Sequence, residues 1–238
     1  EKTSHRNYKQ WSEINWSEAE KYVNRLQIRI VKAVQTGNRN LVKRLQYLLT
    51  HSFYAKALAI RKVTSNRGKR TPGVDNELWG TPEEKWKAIG RLNSKGYRAK
   101  PTKRVYIKKD NGKLRPLSIP TMTDRAMQSL YLLALQPVEE TTADKSSFGF
   151  RINRGCHDAC ERIFRILSSK RSSQWILEGD IRGCFDNISH EWMMKNIPMD
   201  KRILSQFIRA GYIFKGELFP MSRGAVQGGA ISPTLANM

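Results

Sequence analysis

No stretch of this chain approaches the roughly 20 consecutive apolar residues that span a bilayer. No secretory signal opens it either, so membrane-spanning and secreted classes are set aside. Cysteine is scarce. Cys156, Cys160 and Cys184 are odd in number and suit a reducing compartment rather than a disulfide framework. Cys156-His157-x-x-Cys160 has the spacing of half a zinc site, but it lacks a second ligand pair and lies in a segment that reads as helix, so no zinc is assigned there. His5, His51, His157 and His190 stand in no Ser/His or Cys/His constellation, which leaves nucleophilic catalysis of that kind without residues. Acidic side chains are few as well: 21 Asp and Glu face 43 Lys and Arg, for a formal net charge of +22.

What is present follows from that imbalance. A length of 238 residues suits one large domain or two small lobes, and 39% hydrophobic residues suffice for a core. The excess positive charge calls for a polyanionic partner, through attraction and counterion release. It is unevenly spread. Residues 1–115 hold 28 Lys and Arg against 9 Asp and Glu, whereas residues 116–238 hold 15 against 12. The chain thus reads as a basic lobe that grips phosphates, followed by a near-neutral lobe with another task.

Helical signals dominate the basic half. Ser17 with Glu20 forms a capping box, and Val23, Leu26, Ile30 and Val34 follow at helical spacing until Gly37. A second helix carries Leu41, Leu45, Leu48 and Ser52 on one face, with Lys43, Arg44, Lys56, Arg61 and Lys62 among its other positions. Those cations read equally as a solvated face or as a phosphate-contacting one. Thr64 to Asp75, with Arg67, Lys69 and Arg70, has no apolar period and reads as a loop, either a linker or a basic strap along a nucleic-acid strand. Thr81-Pro82-Glu83-Glu84 opens a helix to about Asn93. The clearest hairpin comes next: Arg104 to Lys108 alternates, Asp110-Asn111-Gly112 turns, and Lys113 to Pro120 returns. Lys109 and Arg115 flank that turn, where two cations could hold a triphosphate or simply face solvent.

A helix over 122–136 is expected to end near Pro137, and its Arg125 and Gln128 have no role assignable from spacing. Ser146 to Arg154 interleaves two arginines with two phenylalanines, a pattern that suits either a single nucleic-acid strand or packed rings. Another helix is expected from about His157 to Leu167, with Ala159, Ile163 and Ile166 on one face. Trp175 to Asp180 reads as a short apolar strand ending on a carboxylate, with Asp186 six residues later. A carboxylate ending a buried strand is costly unless neutralised, and a hard divalent cation such as Mg2+ would neutralise it; the alternative is a solvated strand end. Ser189 and Asp200 cap two short helices, and Tyr212 to Phe219 suggests a second hairpin. Gln227-Gly228-Gly229 allows close backbone approach to a ligand, and Ser232-Pro233 starts a helix.

Six blocks in this order resemble the reverse transcriptase domain of group II intron-encoded proteins, the maturases, over roughly Asn24 to Met238. They are Thr71-Pro-Gly-Val-Asp75; the hairpin from Val105 to Pro120; Asp124-Arg-Ala-Met-Gln128; Ser147-Phe-Gly-Phe-Arg151; Asp180-x5-Asp186; and Gln227 to Asn237. The resemblance implies an α+β, right-hand polymerase fold: helical basic fingers over 1–171, with a basic N-terminal extension over about 1–80 and a protruding β-hairpin, then the first part of a βαββ-type palm over 172–238. It implies RNA-directed DNA synthesis and binding of the parent intron RNA to promote splicing and mobility. The implied partners are an RNA template, a DNA primer and deoxynucleoside triphosphates, with Mg2+, or else Mn2+, as cofactor and no membrane. It places the protein in a bacterial cytoplasmic ribonucleoprotein or an organelle, and leaves a second copy of the chain open as a partner.

Position by position, the resemblance makes Asp180 the first catalytic metal ligand and turns the backbone carbonyl of Ile181 toward a metal. It places Phe185 beneath the sugar as a bulky ring that discriminates against a 2′-hydroxyl. Lys109 and Arg115 match the residues that hold the triphosphate, and Gln227 lies beside the incoming nucleotide. Asp186 fits the motif without being assigned as a ligand. RNA contact falls to Lys43, Arg44, Arg61, Lys62, Arg67, Lys69 and Arg70. Two departures stand out: Ile107-Lys108-Lys109 where the family usually reads Ile-Pro-Lys, which leaves open which lysine reaches the phosphates, and Val226 where a proline usually precedes Gln-Gly-Gly. The Tyr-Ala-Asp-Asp block that follows in the family is not among these residues. Asp180 alone cannot hold two cations, so this chain by itself is expected to bind RNA without polymerising. The alternative is an RNA-binding splicing factor with no polymerase activity.

Overall fold

The computed structural model describes residues 8–108, 110 and 112–238. Helix α1 (Trp16–Gln35) begins two residues before the position that the Ser17 signal marks. Asn15 caps it instead, its side chain accepting the Glu18 amide at 3.1 Å. Asparagine is among the strongest capping residues, so the nearest competent side chain upstream sets the start. Ala19, Val23, Leu26, Ile30 and Ala33 form its buried stripe.

The single helix expected over 41–62 is two, α2 (Arg39–His51) and α3 (Phe53–Ser65). Ser52 divides them: its backbone is extended, and its hydroxyl both donates to Leu49 O (2.9 Å) and accepts from the Ala55 amide (3.2 Å). The break rotates the apolar face, so Val42, Leu45 and Leu49 are buried while Leu48 is exposed. Beyond α3 the basic loop contains a short 3-10 turn over Arg67–Arg70. Helix α4 (Pro82–Arg91) carries the capping box between Thr81 and Glu84.

Strands β1 (Thr102–Lys108) and β2 (Leu114–Ile119) form the expected antiparallel hairpin, with Ile107 opposite Arg115 and Lys103 opposite Ile119. Helix α5 (Met122–Thr142) follows, then α6 (Cys156–Leu167), α7 (Cys184–Asn187), α8 (His190–Asn196) and α9 (Lys201–Arg209). Strands β3 (Tyr212–Phe214) and β4 (Glu217–Phe219) are joined by Lys215 and Gly216, both with positive φ, as a tight two-residue hairpin requires. The chain closes with α10 (Ser232–Asn237). The sheet order is β2-β1-β3-β4, with β3 parallel to β1 and the other pairs antiparallel. One apolar core extends from α1, α2, α3 and α5 to α8, α9 and α10, so the class is α+β, as the sequence implied.

Two further expectations are overturned. Helix α5 does not stop at Pro137; it continues to Thr142. Proline lacks the N–H that would bond the carbonyl four residues back. Here that carbonyl, Leu133 O, accepts instead from Gln27 Nε2 of α1 at 2.8 Å, and Ala134 O accepts from Gln46 Nε2 of α2 at 3.2 Å. The donors that keep the helix intact come from neighbours 106 and 88 positions away in sequence. Second, residues 174–181 form neither strand nor helix. Trp175 is 94% exposed and Leu177 97%. A strand exists only by pairing its backbone groups with a neighbour, and no described segment is paired with this one. Likewise α6 forms, but Ile163, Phe164 and Ile166 on it are exposed.

The compensation at Pro137 predicts a double-mutant result in urea unfolding. Gln27→Leu leaves Leu133 O unpaired and should cost about 1–2 kcal/mol. In a Pro137→Ala background the restored N–H supplies the bond, and the same change should cost less than about 0.5 kcal/mol. Equal costs in both backgrounds would show that Gln27 does not stand in for the missing donor.

Candidate nucleotide and RNA site

The first turns of α5 hold three polar side chains that the core surrounds: Asp124, Arg125 and Gln128 are at most 8% exposed. Buried polar groups must find partners, and each of these finds a different loop. Thr121 caps the helix at Asp124. Asp124 then accepts from Tyr97 Oη (2.6 Å), Thr121 Oγ1 (2.7 Å) and the Lys100 amide (3.3 Å), which fixes the segment entering β1. Burial raises the Asp124 pKa, and those same hydrogen bonds oppose the rise. Lys100 in turn pairs with Asp75, at the end of the Thr-Pro-Gly-Val-Asp block.

Arg125 spends its guanidinium on three backbone carbonyls. Nε donates to Pro120 O (3.0 Å), Nη1 to Gly68 O (2.9 Å) and Nη2 to Thr71 O. One side chain thus ties the basic loop to the end of β2. Gly73 completes the joint, since a Cβ there would stand 2.7 Å from Thr121 Cα. Gln128 Oε1 accepts the Ala230 amide at 2.8 Å and so anchors the Gly-Gly turn. That turn is also pinned to the hairpin, where the Ser118 amide donates to Gln227 O at 2.8 Å. Gly228 has φ +103°, and a Cβ on it would lie 2.6 Å from Ser118 O. The three loops enclose a cavity of about 380 Å3 lined by Arg67, Thr71, Leu117 to Pro120, Arg125 and Gly228.

Among the residues singled out from sequence, Gln227 is half-buried next to Gly228, which lines this cleft, and Arg115 is exposed on β2. Lys109 lies outside the described residues. Phe185, in α7, meets Phe150 edge-to-face at 6.1 Å, and its carbonyl accepts the Ala225 amide at 2.7 Å. Asp180 and Ile181 lie on the exposed segment before α7. Among the described residues no three His, Cys, Asp or Glu side chains gather to hold a metal ion. The described residues therefore do not by themselves fit the pair of Mg2+ or Mn2+ ions that the resemblance implies.

The basic candidates sit on three different elements, α2, α3 and the 3-10 turn. Lys43 lines a cavity with Tyr131 and Lys201, and Arg44 is exposed on the same helix. Arg61 stacks over the Trp16 ring (4.8 Å) and pairs with Glu20 (3.0 Å) on α1, beside exposed Lys62. Arg67, Lys69 and Arg70 are exposed on the 3-10 turn. Arg151 is spoken for: its buried guanidinium forks onto Glu140, with both contacts at 2.7 Å. Arg125 and Gln128 carried no role by spacing, although a charge and an amide inside an otherwise apolar helix were the signal for one.

Residues 107–238 match the family described as reverse transcriptase (RNA-dependent DNA polymerase), and residues 11–92 match the N-terminal domain of reverse transcriptase. The chain is 37% identical over 221 residues to the group II intron-encoded protein LtrA of Lactococcus lactis subsp. cremoris, covering 88% of this chain and 36% of that protein. It is 36% identical over 211 residues to protein YkfC of Escherichia coli K12, covering 83% of this chain and 55% of that protein. The chain thus spans about a third to a half of these curated relatives. A solved partial Cas6-RT-Cas1–Cas2 complex aligns with a TM-score of 0.48 at 19% identity, over 81% of this chain and 33% of that one. Among the described residues no helix is long and apolar enough to cross a membrane.

Two measurements test the site's construction. Gly228→Ala should push the turn off β2, so the Ser118 amide should lose its hydrogen-exchange protection while the amides of α1 keep theirs. Retained protection at Ser118 would contradict the close approach. His190 donates from Nε2 to Gly224 O at 2.8 Å, and burial lowers its pKa. Protonation is then favoured in the unfolded chain, so stability should fall as pH drops below about 6.5 and level off above it. The difference in unfolding free energy between wild type and His190→Gln should shrink over that window; a constant difference would remove His190 from the titration.

Proposed function

The chain belongs to the group II intron-encoded reverse transcriptases, and on that premise we propose that it supplies the fingers and the first part of the palm of an RNA-directed DNA polymerase. On this reading residues 1–171 grip RNA, residues 172–238 begin the palm, and the full-length protein uses both to copy RNA and to bind its parent intron. The observation that carries the reading is the joint at α5. One run of five residues, Asp124 to Gln128, ties the basic loop, the β1–β2 hairpin and the Gly-Gly turn together.

The division of labour within the cleft follows from its chemistry. Arg115 presents a planar fork suited to phosphate oxygens, and Gln227 offers a donor and an acceptor beside a turn whose backbone comes close to β2. Lys109, by the resemblance, would add a point charge on the triphosphate. Phe185, braced by Phe150, presents a ring that would crowd a 2′-hydroxyl. Arg67, Lys69 and Arg70 lie on the strap that Arg125 holds against this cleft, where they would follow a template's phosphates. Asp180 takes the catalytic position in the longer protein. Asp180 needs further carboxylates to place two cations, so on this reading polymerisation is assigned to the longer protein and RNA binding to this chain.

A second reading, an RNA-binding splicing factor without polymerase activity, is favoured by one observation: the first 115 residues carry most of the charge excess. Primer extension on an RNA template with deoxynucleotides separates the two. Run beside a C-terminally longer form, this chain should be silent while the longer form extends and Asp180→Ala in it does not. If both bind structured RNA and neither extends, the splicing-factor reading replaces the first. Replacing Arg67, Lys69 and Arg70 together by Gln should lower the slope of log affinity against log salt by about 2 on single-stranded RNA. An unchanged slope would take the strap out of the interface.

A further inference from the structure

A second cavity, of about 350 Å3, opens between α2, α5 and the start of α9. It shares no lining residue with the cleft at the Gly-Gly turn, and its size falls within the range of roughly 300–1,000 Å3 typical of small-ligand sites. Three features meet in it. The first is an aromatic platform: the Tyr47 ring stacks on the His51 imidazole, with centroids 3.8 Å apart and planes 24° from parallel. The pair is rigid, because His51 Nδ1 is bonded to Tyr47 O (2.8 Å) and Nε2 lies 3.2 Å from Ser94 Oγ. It is also open, since Tyr47 is 61% exposed.

The second feature is charge. Lys43 and Lys201 both line the cavity, the Lys201 ammonium also donating to Ile197 O, and the neighbouring Arg202 donates to Ser94 O at 2.8 Å. Against them the lining holds a single carboxylate, Asp200, whose Oδ1 caps α9 by accepting from the Arg202 and Ile203 amides at 2.9 and 3.2 Å. The ammonium groups feel each other: burial first, and then Lys43, lower the Lys201 pKa. An anion seated between them would relieve that repulsion. The third feature is a polar inner wall, formed by Gln46, Thr50 and the Tyr131 hydroxyl.

A flat, exposed ring pair beside two ammonium groups and a polar wall matches a nucleotide, base and phosphate together. We propose that this cavity receives one unstacked nucleotide of a structured RNA, its base on the Tyr47–His51 platform and its phosphate between Lys43 and Lys201. The proposal rests on the RNA-binding reading above and deepens it. The same chemistry would suit a free nucleotide, but α2, which supplies Lys43 and the ring pair, belongs to the strongly basic first 115 residues, where a polyanion is concentrated. Proteins commonly read RNA through bases splayed from a helix and stacked on aromatic rings.

The test compares two RNA hairpins by fluorescence anisotropy at fixed salt, one fully paired and one carrying a single unpaired adenosine, with AMP as competitor. Wild type should bind the bulged hairpin about tenfold more tightly, as one stacked base provides. Tyr47→Ala should erase that preference while leaving the paired hairpin within about twofold. Lys201→Gln, and Lys43→Gln separately, should weaken the bulged hairpin more than the paired one, which keeps the test decisive if the tyrosine variant fails to fold. Equal wild-type affinity for the two hairpins overturns the pocket while sparing the RNA-binding reading. So does an equal loss on both hairpins in the Tyr47 variant. Displacement by millimolar AMP without any preference for the bulge assigns the cavity to a free nucleotide and overturns the RNA assignment. Binding to neither hairpin overturns the RNA-binding reading and the pocket with it.

Discussion

The guanidinium of Arg125 is the constraint on which the site depends. Burying a cation is expensive unless its hydrogens are satisfied, and this one is satisfied by carbonyls rather than by a carboxylate: Pro120 from the hairpin, and Gly68 and Thr71 from the basic loop. Hydrogen bonds to a charged group contribute roughly 1.5–3 kcal/mol each, so the loop cannot leave the helix without stranding a buried charge. The loop that carries Arg67, Lys69 and Arg70 is therefore positioned by a residue that itself touches no ligand in this reading. Asp124 and Gln128 repeat the logic on the same helix for the entry to β1 and for the Gly-Gly turn.

Charge and geometry divide the basic residues in a way that composition alone conceals. Arg61 is already paired with Glu20 and stacked on Trp16, while Lys43 faces Lys201 across a cavity. An exposed ion pair is worth about 0–1 kcal/mol, so Arg61 can exchange its carboxylate for a phosphate at little cost. Lys43 and Lys201 line one cavity, where the anion proposed above would meet both ammonium groups. Arg151 is the opposite case, its fork fully committed to Glu140 inside the fold. An arginine directly after two phenylalanines looks like a nucleic-acid contact in sequence, yet it serves as a strut.

Much of the fold was legible because local chemistry writes it. The Thr81 capping box, the alternating hairpin over 102–119, the Ser189 and Asp200 caps and the Gly216 turn all rest on interactions within a few residues. Failures cluster where the deciding partner is distant. Pro137 stays inside α5 because Gln27 supplies the missing donor from α1. Residues 174–181 have the composition of a strand and no paired neighbour, so they lie open. The break at Ser52 was local and readable in principle, but the unbroken run of helix-forming residues across it hid the cap.

By itself the sequence determined the family, the basic character of the first half and nearly every helix, because motif order, charge and capping are properties of the chain read end to end. Only the tertiary structure decided how these parts become a site: that Arg125 and Gln128 are its anchors, that Arg151 is not a contact, and that Tyr47 and Lys201, 154 positions apart by number, border one cavity. The reason is physical. A buried polar group is satisfied by whatever the fold brings within 3 Å of it, and no spacing along the chain records which distant atom that will be.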